Sequence, residues 1–346
     1  MTLKFSILDQ SPIHPGETAE TALARTVELA RLADRSGFVR FWVSEHHDSE
    51  QVAGSSPETL IPYLLARTER IRVGSGGIML QHYNPYKVAE NFHVLASLAP
   101  GRVDLGVGRG PGGLPRSTKA LQRHLAEQPE YRDKVRELDA LIGGRPLPDG
   151  HPLAGLRATP VPSVPPDIWL LGTTVRSAEL AAELGLPYVY SLFLGGDERE
   201  AVEAVRVYKE RFRSSSGGDG SGNGRAEAII AVAAVAADTD EEARALVPPF
   251  RPVKVKLANG QSVTVGSVEQ AEAYGRQAGI PYTIEEKEMI VYAGEKETVL
   301  GKLLELQEAT GVEEFMITTN IEPFDKRLRS FVLLQEALKE AGQVAS

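Results

Sequence analysis

Two strand-like stretches, IRVGSGGIML at 71–80 and PGRVDLGVGR at 100–109, decide the fold, and the segment Pro85–Leu98 separates them. Each stretch carries a short apolar run that ends in glycine and polar residues. The segment between them has its apolar side chains at helical spacing. Because a strand, a helix and a second strand of these lengths usually place both strands parallel in one sheet, the trio predicts a parallel sheet covered by helices.

The same strand and helix alternation continues on both sides of this trio. The apolar runs predict eight strands: Lys4–Leu8, Phe38–Ser44, Ile71–Ser75, Arg102–Gly108, Asp167–Leu171, Tyr188–Phe193, Ala228–Ala236 and Glu314–Thr319. Helical spacing predicts helices at Thr18–Ser36, Pro57–Thr68, Pro85–Leu98, Val175–Leu184, Arg199–Phe212 and Phe324–Ala341. Eight strands that alternate with helices favour a closed (β/α)8 TIM barrel over an open, doubly wound sheet.

Three stretches interrupt the alternation, at 143–166, 214–224 and 248–288. The first is rich in proline and glycine and the second in serine and glycine, which is typical of loops or linkers. The third contains a hairpin pattern around Asn259-Gly260 and is a candidate lid. We therefore predict a single barrel domain over residues 1–346 with three irregular insertions.

Composition limits the possible functions. Hydrophobic residues make up 42% and charged residues 25% of the chain, which are ordinary globular values. A formal net charge of −9 argues against nucleic acid as a partner, and the absence of cysteine excludes disulfides, thiolate metal sites and thiol catalysis. No apolar stretch of about 18 residues and no apolar leader is present, which predicts a cytoplasmic protein without a membrane partner.

A histidine pair follows the second predicted strand, in the run Glu45-His46-His47-Asp48. Catalytic groups of TIM barrels lie at the carboxyl ends of the strands, and a histidine beside carboxylates suits general acid/base chemistry. A metal site is disfavoured because neighbouring side chains on a strand point to opposite faces. We predict that a histidine of this run is catalytic and that the run binds no metal, with a histidine satisfied by hydrogen bonds as the alternative.

The stretch GRGPGG at 108–113 matches the G-x-G-x-x-G pattern of dinucleotide-binding turns. Pro111 lacks an N–H and disrupts the helix that should begin here, and no strand with an acidic end follows about twenty residues later. We therefore disfavour a dinucleotide site. Arg109 could instead bind an anion beside the glycines, or form a structural salt bridge, and both alternatives remain open.

A second candidate anion site follows the fifth predicted strand, in the segment Gly172-Thr173-Thr174-Val175-Arg176-Ser177. Hydroxyl groups and free N–H groups at a helix start are suited to phosphate binding. The alternative is that Thr173 or Thr174 serves as an N-cap of the following helix.

Taken in order, these segments resemble the bacterial-luciferase-like, flavin-dependent monooxygenases. The resemblance rests on Glu45-His46-His47, the stretches 71–80 and 100–109, Gly172-Thr173-Thr174 with AAELGLP at 181–187, and the closing stretch 314–334. It implies an eight-stranded barrel with FMN at the carboxyl mouth and assembly as a homodimer.

The resemblance also implies roles for particular residues. His46 is similar to the family's active-site histidine, and Gly76-Gly77 to the pair whose non-prolyl cis bond supports the isoalloxazine ring. The FMN phosphate is expected at Arg109, Thr173, Thr174 and Ser177. The chain departs from the luciferase catalytic chain at Gly172, where that chain has a glutamate.

The implied reaction inserts one atom of O2 into a small organic substrate such as an aldehyde. Reduced FMN would come from a separate NAD(P)H-dependent flavin reductase, which would be a transient partner. Two alternatives remain: an F420-dependent oxidoreductase that transfers hydride on the same barrel, and a flavin-binding subunit without catalysis.

Overall fold

The computed structural model of the chain describes residues 2–123, 129–212, 226–248 and 251–342. The predicted insertion at 214–224 lies outside the described residues. Residues 143–166 form a loop without helix or strand, as predicted. None of the helices in these ranges is long and apolar enough to cross a bilayer.

Eight parallel strands form the barrel. Their bounds are β1 Lys4–Asp9, β2 Arg40–Val43, β3 Arg72–Met79, β4 Val103–Gly108, β5 Asp167–Gly172, β6 Tyr188–Ser191, β7 Ala228–Ala237 and β12 Glu314–Thr318. Each strand pairs with the next around the ring, and β12 lies between β7 and β1. Pairing of β6 with β7 closes the ring, which confirms the predicted (β/α)8 barrel.

Helices surround the strands. Their bounds are α1 Ala19–Ser36, α2 Pro57–Leu65, α3 Pro85–Leu98, α4 Pro115–Leu121, α5 Tyr131–Ile142, α6 Val175–Leu184, α7 Glu198–Arg211, α8 Asp240–Leu246, α9 Val268–Ala278, α10 Lys296–Thr310 and α11 Phe324–Glu340. In α1 the Thr18 side chain caps the first turn and Gly37, at φ +93°, ends the last. The predicted helix at 57–68 is three residues too long, and α4, α5, α8, α9 and α10 were not predicted.

Two predicted strand ends are corrected by the structure. The third strand continues to Met79 instead of ending at Ser75, because Ile78 and Met79 still pair with Val107 and Gly108 of β4. The sixth ends at Ser191 because residues 192–194 turn into a short 3₁₀ helix. Gly76 and Gly77 therefore belong to the strand, although the sequence placed them after its end.

The barrel interior holds its own apolar layer, separate from the core between strands and helices. Trp42 and Trp169 meet edge to face with ring centroids 5.9 Å apart, and Leu8, Val189 and Met316 pack around them. Burial of aromatic side chains contributes strongly to the stability of a core. This layer fills the barrel beneath its mouth.

Paired charges fill the amino-terminal end of the barrel. Arg40 lies between Asp104 and Glu314, with an N–O distance of 3.0 Å to each. Arg72 bridges Asp104 and Asp167, the latter at 2.6 Å. Buried charges require such pairing because desolvation is costly. In a TIM barrel the active site is expected at the opposite, carboxyl end of the strands.

The insertion at 248–288 is a small folded unit, so the prediction that it is irregular is wrong. Its strands β8 Val253–Leu257, β9 Ser262–Val265 and β10 Tyr282–Glu286 form an antiparallel sheet in the order β10-β8-β9. Val255 of β8 and Ala271 of α9 are fully buried in the core of this unit. The predicted hairpin is present, with Gly260 at φ +85° in its turn.

A further strand, β11 Val291–Glu295, was not predicted. It pairs with Ala233–Ala237 of β7, whereas β6 pairs with Ala228–Ala231 of the same strand. Along one edge of β7, the first part thus pairs with β6 and the second part with β11. The rim of the barrel is extended on this side.

Candidate active site

The mouth of the barrel brings the predicted site residues to one rim. His46 follows β2, Gly76-Gly77 lies near the end of β3, Arg109 follows β4 and Thr173 follows β5. The carboxyl ends of parallel strands share one edge, so these residues belong to one site region.

His46 is held by contacts on one side of its ring. Nδ1 lies 3.0 Å from the Ser44 Oγ, and the His46 backbone N–H donates to the Gly54 carbonyl at 2.8 Å. Burial, with a smaller effect of neighbouring His47, lowers the pKa of His46 to about 4. The imidazole is therefore neutral near pH 7. Nε2 has no partner within the described ranges and is available for proton transfer.

Gly76 and Gly77 lie near the end of β3, and the peptide between them is cis. A Cβ on Gly76 would lie 2.6 Å from the Leu8 side chain, and one on Gly77 would lie 2.8 Å from the Gly106 carbonyl. Neither position has space for a side chain. The packing of Leu8 and of β4 against this backbone therefore requires glycine at both positions.

Arg109 is exposed, and no carboxylate in the described part of the chain forms an ion pair with it. The structural salt bridge considered for Arg109 is therefore not formed with any described residue. Its charge acts on the buried Tyr131 hydroxyl, which has no hydrogen-bond partner among the described residues. Buried polar groups usually have partners. Arg109 and Tyr131 thus leave donors available for an anionic ligand.

The start of α6 offers a second set of donors. Thr174 and Ser177 form a capping box, in which the Thr174 Oγ1 accepts from the Ser177 N–H at 3.3 Å. The N-cap alternative is therefore correct for Thr174. The backbone N–H groups of Val175 and Arg176 have no acceptor within the ranges that the structure describes, and Thr173 is exposed. Free N–H groups at a helix start bind phosphate well.

The luciferase-like monooxygenase family model matches residues 3–314. The chain belongs to this family. The luciferase-like barrel and the assignment as a monooxygenase are thereby confirmed.

Several relatives span the chain of this luciferase-like monooxygenase. N-acetyl-S-alkylcysteine monooxygenase of Bacillus subtilis (strain 168) is 42% identical over 340 residues, which cover 98% of this chain and 99% of the relative. The crystal structure of apo-MsnO8 has a TM-score of 0.77 and 31% identity, and covers 98% of each chain.

A more distant solved structure shows the same fold. The oxygenating constituent of 3,6-diketocamphane monooxygenase from the CAM plasmid of Pseudomonas putida, in complex with FMN, has a TM-score of 0.69 and 18% identity over 99% of each chain. At this identity the likeness supports the fold alone.

Glu45 belongs to the E-H-H run that carries the family resemblance, but the sequence assigned no role to it. Glu45 is fully buried, and its carboxylate contacts His47 and Tyr83. The E-H-H run marked its position, but burial of a carboxylate cannot be read from the sequence. Tyr83, His82 and Gln81 were missed because they follow β3 in a stretch without a motif.

No group of three or more histidine, aspartate or glutamate side chains in the described ranges is placed to hold a metal ion. Carboxylates there are found in ion pairs with basic side chains, such as that of Asp104 with Arg40. The chemistry of the donors at the mouth fits a phosphate-bearing planar cofactor better than a cation.

Proposed function

We propose that this luciferase-like monooxygenase uses reduced FMN and O2 to insert one oxygen atom into a small organic substrate, and that a separate NAD(P)H-dependent reductase supplies the reduced flavin. The observation that carries the proposal is a set of candidate anion donors on the same rim as Gly76-Gly77. The donors are Arg109, which forms no ion pair with another described residue, and the N–H groups of Val175 and Arg176, which have no acceptor among the described residues. Gly76-Gly77 would lie against the isoalloxazine ring.

Reduced FMN, when bound, would supply two electrons and would react with O2. The chain's own contribution begins with the phosphate, which Arg109 and the start of α6 would hold through charge-assisted hydrogen bonds. A protein with a net charge of −9 repels anions at long range, so binding depends on these local donors. Arg109, Thr173 and the α6 amides are therefore the proposed phosphate site, with Thr174 and Ser177 shaping the helix start.

The folded insertion bears on water exclusion. Gln270 of α9 donates to Gln51 after β2 at 3.3 Å, and Gln277 accepts from the Arg116 N–H after β4 at 3.0 Å. The insertion thus joins two loops of the mouth. We infer that it acts as a lid that keeps water from the reacting flavin.

His46 would transfer a proton at Nε2. Because the ring is neutral at pH 7 and Ser44 fixes its orientation, it can assist one proton transfer without first losing a proton to solvent. Such a group acts in turnover and contributes little to the barrel's core.

For the substrate we favour an S-alkyl cysteine with an acylated amino group over an aldehyde. The support is 42% identity to N-acetyl-S-alkylcysteine monooxygenase over nearly the full length of both chains. One oxygen atom of O2 would enter the substrate, and the other would leave as water with the two electrons of the reduced flavin.

The test combines binding and turnover. Reduced FMN and reduced F420 are titrated without oxygen, and then N-acetyl-S-ethylcysteine or decanal is supplied with reduced FMN and ¹⁸O2. We expect FMN binding and one ¹⁸O atom in the cysteine-derived product. Binding of F420 alone would support the hydride-transfer alternative, and FMN binding without any product from either compound would support the non-catalytic subunit.

A homodimer and a cytoplasmic location complete the proposal. Tyr63 of α2 and Val94 and Leu98 of α3 are exposed apolar side chains on neighbouring helices, and Leu98 is 72% exposed. Such groups often mark protein interfaces. The cytoplasm is where an NAD(P)H-dependent reductase would operate.

A further inference from the structure

Glu45 has an unusual environment for a carboxylate. It is fully buried, and it accepts hydrogen bonds from the His47 Nε2 at 2.7 Å, the Tyr83 hydroxyl at 2.7 Å and the Met79 backbone N–H at 3.1 Å. Burying a carboxylate is costly unless such donors surround it. The three donors come from the ends of β2 and β3. Glu45 therefore ties these two strand ends together.

The loop after β4 is held by the same two strand ends. The carbonyl of Gly110 accepts from the Gln81 Nε2 at 2.9 Å, and that of Gly112 accepts from the His47 N–H at 2.7 Å. Between them, the carbonyl of Pro111 lies 2.8 Å from the His82 Nε2. Three successive carbonyls are thus fixed by neighbouring segments.

This packing leaves no free space behind the loop. A Cβ on Gly113 would lie 2.5 Å from the His47 carbonyl, and one on Gly112 would lie 3.2 Å from the Glu45 carbonyl. The His47 and His82 rings meet edge to face, with centroids 5.9 Å apart. A shift of residues 45–47 therefore has to move the loop that begins with Arg109.

We propose that Glu45 is a positioning residue that couples the turn carrying His46 to the Arg109 loop. The inference rests on the proposed binding of FMN phosphate by that loop. Glu45 itself does not contact the cofactor in this scheme. It sets where the Arg109 guanidinium stands, and Tyr83 and His47 transmit the constraint.

The decisive variant is Glu45→Gln, because its amide would place N–H hydrogens against groups that already donate. Anaerobic titration of reduced FMN and reduced riboflavin gives the readout. We expect FMN affinity to fall about tenfold, which is about 1.4 kcal/mol, while riboflavin affinity changes less than about twofold. A role in folding alone would weaken both flavins equally.

Two further variants test whether the effect of Glu45→Gln reflects positioning of the Arg109 loop. Tyr83→Phe removes one donor and keeps the ring, so we expect a smaller selective loss of FMN, about threefold. If Glu45→Gln does not fold, Tyr83→Phe alone tests the positioning role of Glu45. Glu58→Gln is the matched control, because Glu58 is a nearby, half-buried carboxylate that forms no side-chain hydrogen bond with other described residues.

The outcomes separate the inference from the proposed function. Equal losses of FMN and riboflavin in Glu45→Gln and Tyr83→Phe, or a Glu58→Gln variant that behaves like Glu45→Gln, would overturn the positioning role. A wild-type protein that binds neither flavin would instead overturn the proposed function. A selective loss of FMN affinity with an unchanged melting temperature supports both the positioning role of Glu45 and the proposed function.

Discussion

Gly172 and Ser177 approach so closely that a Cβ on Gly172 would lie 2.0 Å from the Ser177 Oγ. The Ser177 hydroxyl donates to the Thr174 carbonyl at 2.6 Å and lies 2.9 Å from the Tyr188 hydroxyl. The helix start therefore occupies the space that a side chain at 172 would need. A glutamate at this position, as the resemblance would imply, does not fit without a shift of Ser177.

Replacing Gly172 with alanine should disturb this helix start. We expect destabilisation of about 1–3 kcal/mol from overpacking and weaker FMN binding, because the free N–H groups of α6 move. Urea unfolding and FMN titration measure both effects. Gly301→Ala in α10 is the control, since nothing lies within 4 Å of its Cβ position. An unchanged stability of Gly172→Ala would contradict the close contact.

Arg109→Ala should weaken reduced FMN about ten- to a hundredfold, at about 1.4 kcal/mol per decade, while riboflavin, which lacks the phosphate, loses little. The reason is the loss of a charge-assisted donor to phosphate. Arg116→Ala is the control, because that exposed side chain already pairs with Asp48. Equal losses for both flavins would show that Arg109 does not bind phosphate.

His46→Ala should leave FMN affinity and the melting temperature nearly unchanged and lower product formation about 10²- to 10⁴-fold. The ring serves proton transfer and is only partly buried. Product and hydrogen peroxide are measured per reduced flavin consumed. An undiminished product yield would remove His46 from the reaction, and a lost transition in thermal unfolding would assign it to the fold.

The low pKa of His46 also predicts a pH dependence of stability. Between its ordinary value of about 6.5 and about 4 in the folded protein, the unfolded chain binds a proton at this ring and the folded chain does not. The free energy of unfolding therefore falls as pH decreases through this window.

His46→Gln should remove that contribution, which is at most about 1.4 kcal/mol per pH unit and is reduced by the ring's remaining solvent contact. Urea unfolding at pH 7, 6 and 5 compares the slopes of wild type and variant. Identical slopes would mean that His46 titrates alike in both states.

Arg327 links the last helix to the first strand through a buried ion pair with Asp9, at 2.6 Å. Arg327→Met should leave the Asp9 carboxylate uncompensated and destabilise the protein by about 3–5 kcal/mol. Arg329→Met is the control, because Arg329 on the same helix is exposed and pairs at the surface. Denaturant titration measures the unfolding midpoint of each variant. Similar midpoints for the two variants would refute the expected destabilisation of Arg327→Met.

The barrel could be predicted because its strands have consistent local patterns. Val103–Gly108 and Glu314–Thr318 are short apolar runs bounded by turns, and the structure places both within two residues of their predicted bounds. α3 begins and ends as predicted because Asn84 caps it, with Pro85 in its first turn. Local chemistry sufficed for these elements.

Features set by distant contacts could not be predicted. β11 is recognisable only through its pairing with the second half of β7, and nothing in the run Val291–Glu295 indicates that partner. Among site residues, Arg109 and His46 stand out by type and position. Glu45 depends on Tyr83 and Met79, which lie more than thirty residues away along the chain.

The neighbouring positions of β1 and β12 have a consequence for synthesis of the protein. Lys4 to Ile7 pair with Glu314 to Ile317, whereas the other edge of β1 pairs with β2. The edge of β1 that faces away from β2 therefore has no partner until β12 has been synthesised. Until then β1 and β7 each present an unpaired edge, which is a site for wrong association. We therefore expect truncation before residue 314 to yield aggregates instead of a smaller barrel.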